Sequence, residues 1–182
     1  MKMIGIAGGT AGGKSTFAEK LAVRLRERGL AVEEIHMDAF FKDEADRPHV
    51  RSHLSGKEYV DDNCPDTVDW TAFHGEVDRA ASGGADAVIV EGLLTLWDEE
   101  LRDRLDLRVF VDCLADERVV RRLRRNMSWG YSFDKVSDVY LDMVRFRHEQ
   151  YVEPTKWTAD VIVNGAGNTD KACEMIADWI EK

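Results

Sequence analysis

Near the start of the chain, Gly8-Gly9-Thr10-Ala11-Gly12-Gly13-Lys14-Ser15 has the GxxxxGK[ST] spacing that cradles phosphate. Glycines let a backbone close around an anion and aim N–H groups at it. A helix N-terminus directly behind the loop would add roughly half a positive charge. Lys14 places a full charge where β- and γ-phosphates would lie, and Ser15 offers a hydroxyl to Mg²⁺. With Thr16, these eight residues are the expected nucleotide-binding set, and ATP with Mg²⁺ the expected ligands. The spacing identifies a nucleotide site but not a reaction.

Three further features bear on the reaction. Asp38, in His36-Met37-Asp38-Ala39-Phe40-Phe41-Lys42, lies just past an apolar run. A carboxylate there could accept a hydroxyl proton during in-line attack on phosphorus; a turn- or cap-forming aspartate is the alternative. Glu91 follows Val88-Ile89-Val90, a Walker-B-like arrangement whose acid can hold Mg²⁺ or orient its ligands. Gly92 after it would permit close approach of backbone and ligand. Asp112 also ends an apolar run, but it precedes a helix and reads as a cap. Arg118, Arg122 and Arg125 fall on one helical face, a basic island that suits either an anion or a solvated surface. Phe41 and Tyr59 could flank an acceptor. His49 and His53 have i, i+4 spacing but no third ligand and no helix, so a zinc site is not expected.

Such residues need a scaffold, and the hydrophobic pattern supplies one. Apolar runs at Met3–Ala7, Leu30–Met37, Asp86–Val90, Leu107–Val111 and Asp160–Val163 alternate with helix-like segments at Ser15–Arg28, Asp69–Ala81, Asp116–Met127, Phe133–Tyr151 and Lys171–Ile180. That alternation predicts an α/β fold of the P-loop NTPase type, a five-stranded parallel sheet flanked by helices. In such sheets ligands bind at the C-terminal strand ends, where Gly8, Asp38 and Glu91 would all sit. Residues 39–67 lack periodicity and are expected to be a long, mobile functional loop.

Composition narrows the classes. With 182 residues and 44% apolar content, a single domain with one good core is expected over 1–182. Thirty-five acidic against 25 basic residues leave a net charge of −10, which argues against a nucleic-acid binder. No apolar run is long enough for a membrane span. Cys64, Cys113 and Cys173 form no disulfide or metal pattern, and a cytoplasmic setting is expected. The guanine-reading NKxD of GTPases is absent. A small-molecule kinase acting on a nucleotide and an alcohol remains, and a non-catalytic nucleotide-dependent switch is the rival from another class.

Several segments together resemble the uridine kinase family of P-loop kinases, which includes phosphoribulokinase and nicotinamide riboside kinase relatives. Gly8–Ser15 resembles its P-loop. Met37-Asp38-Ala39-Phe40-Phe41-Lys42 resembles its DxFY/FK segment, and Val90-Glu91-Gly92-Leu93-Leu94 its EGIL strand end. Phe110-Val111-Asp112 with Arg121-Arg122 and Arg125 resembles its strand and lid helix, and Glu153-Pro154-Thr155-Lys156 with Ala159-Asp160-Val161-Ile162 its chain ending. The resemblance implies that Asp38 is the catalytic base and that Lys14, Arg122 and Arg125 act on the transferred phosphoryl group. It also implies an Arg-rich lid over about 122–135 and an acceptor-binding loop over about 39–68. The implied reaction moves the ATP γ-phosphoryl group to a primary hydroxyl, such as the 5′-hydroxyl of a nucleoside. A nicotinamide riboside-like or other small alcohol is the alternative acceptor. Lys156 and the turn Asn164–Asn168 would border the adenine. The chain departs from the family at three places. Asn63 stands where the family has a ribose-binding aspartate. The pyrimidine-reading insertion is missing between Asp69 and Asp86. Trp129-Gly130-Tyr131 replaces the RGR stretch of the lid.

Overall fold

Alternation along the strands divides the core in two. In the first strand Met3 and Ala7 point to one face of the sheet while Ile4 and Ile6 point to the other; Val88 and Val90 alternate with Ala87 and Ile89 in the same way. Strands buried on both faces belong to a parallel sheet with helices on each side. The computed structural model, which describes residues 1–182, has that architecture. Its strands are β1 (Lys2–Gly8), β2 (Val32–His36), β3 (His49–Arg51), β4 (Glu58–Val60), β5 (Ala87–Glu91), β6 (Leu107–Asp112) and β7 (Val161–Asn164). Five of them form the parallel sheet in the order β2-β5-β1-β6-β7.

The helices are α1 (Lys14–Glu27), α2 (Trp70–Ser82), α3 (Glu99–Arg104), α4 (Ala115–Ser128), α5 (Phe133–Val139), α6 (Arg145–Arg147) and α7 (Asp170–Ile180). Helices α1 and α7 cover the Ile4/Ile6 face through Phe17, Leu21, Leu25 and Ile176, and α2 covers the other through Phe73 and Val77. No helix is long and apolar enough to cross a membrane. The expected helix over 133–151 is continuous but not uniform. Two π-helical stretches, Tyr140–Val144 and His148–Val152, flank α6, and a 3₁₀ turn over Glu153–Thr158 follows. Helix α3 had no periodicity long enough to betray it; Asp98 starts it by accepting from Leu101 N–H at 2.8 Å.

The stretch 39–67 is not a featureless loop. The antiparallel hairpin β3–β4 and three 3₁₀ turns (Met37–Phe40, Glu44–Asp46, Pro65–Thr67) occupy it. Each element is three or four residues long, too short to leave a period. Side chains hold the segment. Asp61, 1% exposed, accepts from Arg147 Nε at 2.6 Å and from Asn63 N–H at 3.1 Å. Tyr59 donates its hydroxyl to Asp142 at 2.7 Å.

Candidate active site

The C-terminal edge of the sheet collects the chemistry. Gly8 ends β1, Glu91 ends β5, and Asp38 sits in the 3₁₀ turn that follows β2. Backbone conformation shapes the loop after β1. Gly13, at φ +99°, takes the cap position of α1 with no side-chain cap, so the first N–H groups of the helix stay open. Ala11 is the only non-glycine residue with positive φ, +58°. Such a left-handed alanine costs about 1 kcal/mol and is found where the surroundings enforce the shape. Gly12 donates its N–H to the Gly9 carbonyl at 2.9 Å, closing the loop on itself.

A cavity of about 530 Å³ opens in front of this loop. Thr10, Lys14, Asp38, Arg122 and Arg125 line it together with Phe41, Tyr59 and Asn63. All of the catalytic and acceptor-binding residues expected from sequence therefore face one space. Arg122 Nη1 donates to Thr10 Oγ1 at 2.8 Å and Arg125 Nη2 to the same oxygen at 3.4 Å. Burial, then the neighbouring Arg125 charge, pulls the Arg122 guanidinium below its usual range. Burial does the same to Arg125, against the opposing pull of Asp38. Neither arginine has an ion-paired carboxylate. Two desolvated cations on one hydroxyl form a site that an anion would relieve.

Glu91 sits 6% exposed, accepts the Ser15 hydroxyl at 3.0 Å through Oε2, and contacts His36 Nδ1 at 2.9 Å through Oε1. One hydroxyl and one carboxylate are hard oxygen donors of the kind Mg²⁺ takes, with its remaining positions left to phosphate oxygens and water. No cluster of three or more His, Cys, Asp or Glu side chains forms a protein-only metal cage, and His49 and His53 are not part of one.

Some expectations need correction. Asp112 does not cap α4. Leu114 holds the cap position without a side-chain bond, and Asp112 instead accepts from Lys156 Nζ at 2.6 Å. Two residues separate Asp112 from α4, which puts it two positions before the cap, and its carboxylate meets the Lys156 cation instead. Gly92 does not make room for a ligand: a Cβ there would collide with the Met37 side chain. Its small size lets Met37 bury fully, which anchors the turn carrying Asp38. The turn after β7 lies against the phosphate loop. Gly165 donates N–H to the Asp112 carbonyl at 2.6 Å, and Arg121 Nη1 donates to the Gly165 carbonyl at 2.9 Å. A side chain on Gly165 would strike the Gly12 carbonyl. Arg118 shares the helical face of Arg122 and Arg125, but it packs behind the loop rather than lining the cavity.

Other lining residues were not singled out from sequence. Glu44, Arg47 and Asp62 come from the short elements after β2, and Lys135, Val136, Val139 and Met143 from α5 and the first π-helical stretch. Arg47 bonds to Asp62 at 3.0 Å and lies 5.7 Å from the Phe41 ring centroid. The dense charge of 42–47 was the only available signal, and charge runs are usually solvated. Trp129 and Tyr131, both exposed, stand in the cavity wall; Arg125 covers the Trp129 ring at 5.0 Å and Lys135 the Tyr131 ring at 4.8 Å.

Comparisons with known proteins agree with this architecture. The sequence pattern of the Phosphoribulokinase / Uridine kinase family matches residues 72–172. A uridine kinase of Clostridium botulinum (strain Okra / Type B1) is 33% identical, the match covering 96% of this chain and 93% of that protein. A uridine kinase of Deinococcus deserti is 32% identical with the same coverage. Among solved structures, a possible uridine kinase from Bacillus stearothermophilus superposes with a TM-score of 0.54 at 23% identity, covering 90% of this chain and 88% of that one. A candidate fructose transport system kinase from Silicibacter gives 0.66 at 18% identity, covering 88% of each chain. Those structures share the fold; the sequence relatives carry the family. The chain belongs to the phosphoribulokinase/uridine kinase family, P-loop kinases that transfer a phosphoryl group to an alcohol.

Proposed function

We propose that the protein transfers the γ-phosphoryl group of ATP to a primary hydroxyl, with a nucleoside 5′-hydroxyl as the leading acceptor. The observation that carries this reading is that Asp38 shares one cavity with Lys14, Arg122 and Arg125. The nucleotide phosphates lie on Gly8–Thr16, held by loop N–H groups and the open first turn of α1. Lys14, Arg122 and Arg125 stabilise charge spreading over the transferred group. Asp38 accepts the acceptor's hydroxyl proton as its oxygen bonds to the γ-phosphorus and the bond to the ADP oxygen breaks. Ser15 and Glu91 would hold Mg²⁺, which would supply positive charge to offset that of the nucleotide phosphates. Phe41 and Tyr59 flank the acceptor, and Asn63 offers an amide to a hydroxyl. Arg122 and Arg125 with the Trp129–Tyr131 turn act as a lid that excludes water, so that transfer beats hydrolysis. The whole of 1–182 works as one domain. Three free buried thiols support a cytoplasmic setting.

The test is ADP release against a panel of nucleosides, sugars and vitamins. ADP formation should rise sharply with the matching alcohol. Asp38→Asn should remove about 10²–10⁴ of that rate while ADP binding persists. Turnover independent of the acceptor, or a fully active Asp38→Asn enzyme, would overturn the reading.

A further inference from the structure

Arg118 is the only Lys or Arg buried in the chain, at 4% exposure. Its stem runs beneath the phosphate loop, with Cδ 3.6 Å from where a Cβ on Gly12 would lie. Its guanidinium stands behind Gly9: a Cβ there would be 2.6 Å from Nη1 and 2.9 Å from Cζ, and 3.0 Å from His148 Cε1. The space a side chain on Gly9 would need is thus taken by a cation and an imidazole.

The charge of Arg118 is not neutralised by a neighbour. Nε donates to the Cys113 carbonyl at 2.9 Å, but Nη1 is buried without a partner, as is His148 Nδ1 beside it. Glu153 spends its carboxylate on His148 Nε2, 3.1 Å away, and on Lys156 at 3.7 Å. An unpaired buried cation is normally a liability. Here it adjoins a loop whose open N–H groups await an anion, and a bound phosphate would supply the missing countercharge.

We propose that Arg118 is a positioning residue of the phosphate cradle: its side chain, stem against Gly12 and planar guanidinium against Gly9 with His148 alongside, holds the loop in its anion-accepting shape and adds to the field on bound phosphate. This rests on the reading of Gly8–Ser15 as the nucleotide phosphate site. Lysine carries the charge but not the fork that fills that space, so it should not substitute fully.

The experiment is titration calorimetry of the full chain and of Arg118→Gln and Arg118→Lys with two probes, ADP and inorganic tripolyphosphate. Circular dichroism and melting of the unliganded proteins run alongside. Arg118→Gln should bind both probes roughly tenfold or more weakly, by equal factors because both report the cradle. Arg118→Lys should lose several-fold, and it carries the test if the glutamine variant does not fold. Affinities within twofold of wild type in either folded variant overturn the proposal. So does a variant that melts earlier yet binds both probes normally, since that places Arg118 in the core alone. Wild-type protein that binds neither probe sinks the nucleotide-site reading and this inference with it, whereas normal wild-type binding with unaffected variants sinks the inference alone.

Discussion

At the phosphate end of the cavity, geometry is imposed by the main chain: strand β1, a loop with Ala11 and Gly13 in left-handed conformations, and the open start of α1. At the other end, the proposed acceptor end, it is imposed by side chains from distant segments, such as Arg147 on Asp61 and Asp142 on Tyr59. Main-chain geometry tolerates little variation, because a Cβ on Gly8, Gly9 or Gly12 would come within 3 Å of a backbone carbonyl or of the buried Arg118. Side-chain geometry can be rewritten without disturbing the sheet. Asn63, Trp129 and Tyr131 line the same cavity.

The contrast can be tested by striking each end separately. Lys14→Met should have the largest effect, a loss of about 10²–10³ in kcat from removing one charge on the transferred phosphoryl group, with the melting temperature nearly unchanged. A large drop in stability instead would mean the two ends share their scaffold energetically. Arg147→Met strands the Asp61 carboxylate, 1% exposed, without its cation. We expect roughly 3 kcal/mol of destabilisation in urea unfolding and a raised acceptor KM, with ADP affinity held. An ADP affinity that falls in parallel would break the distinction between the ends.

Gly92→Ala sharpens the comparison at their junction. The added methyl meets Met37, so the turn carrying Asp38 must shift. The expected cost is about 1–3 kcal/mol, with kcat falling more than ADP affinity. An unchanged kcat would detach Asp38 from that packing. The smallest effect is titrimetric. Burial, then the Arg118 charge, holds the folded His148 below the usual imidazole value of 6.5, against the pull of Glu153. The folded state therefore keeps His148 neutral while the unfolded chain takes up a proton. Its contribution to stability is complete above the unfolded value and declines as pH falls through it toward the lower folded value. His148→Gln should flatten the fall in melting temperature between about pH 7 and 5. A slope as steep as wild type would assign the acid limb to other groups.

How much was readable follows from the same contrast. Five strands, the phosphate loop, and the positions of Asp38 and Glu91 at strand ends were legible, because period-2 burial and glycine spacing are local signals. The hairpin β3–β4 and helix α3 were not, being three to six residues long. Asp112 looked like a cap because its position resembles one; Lys156, 44 residues away, decided otherwise. Arg118 shares a helical face with Arg122 and Arg125 by spacing, yet the packing of α4 turns it behind the loop.

By itself, then, the amino-acid order determined the α/β class, the phosphate loop and the kinase family, because those depend on short-range periodicity and on residue types no other arrangement needs. Only the tertiary structure decided the strand order β2-β5-β1-β6-β7, the lining of the acceptor end, and which arginine faces which side of the loop. Those features are contacts between residues far apart in the chain, chosen by packing and charge neutralisation in three dimensions, and no local pattern encodes them.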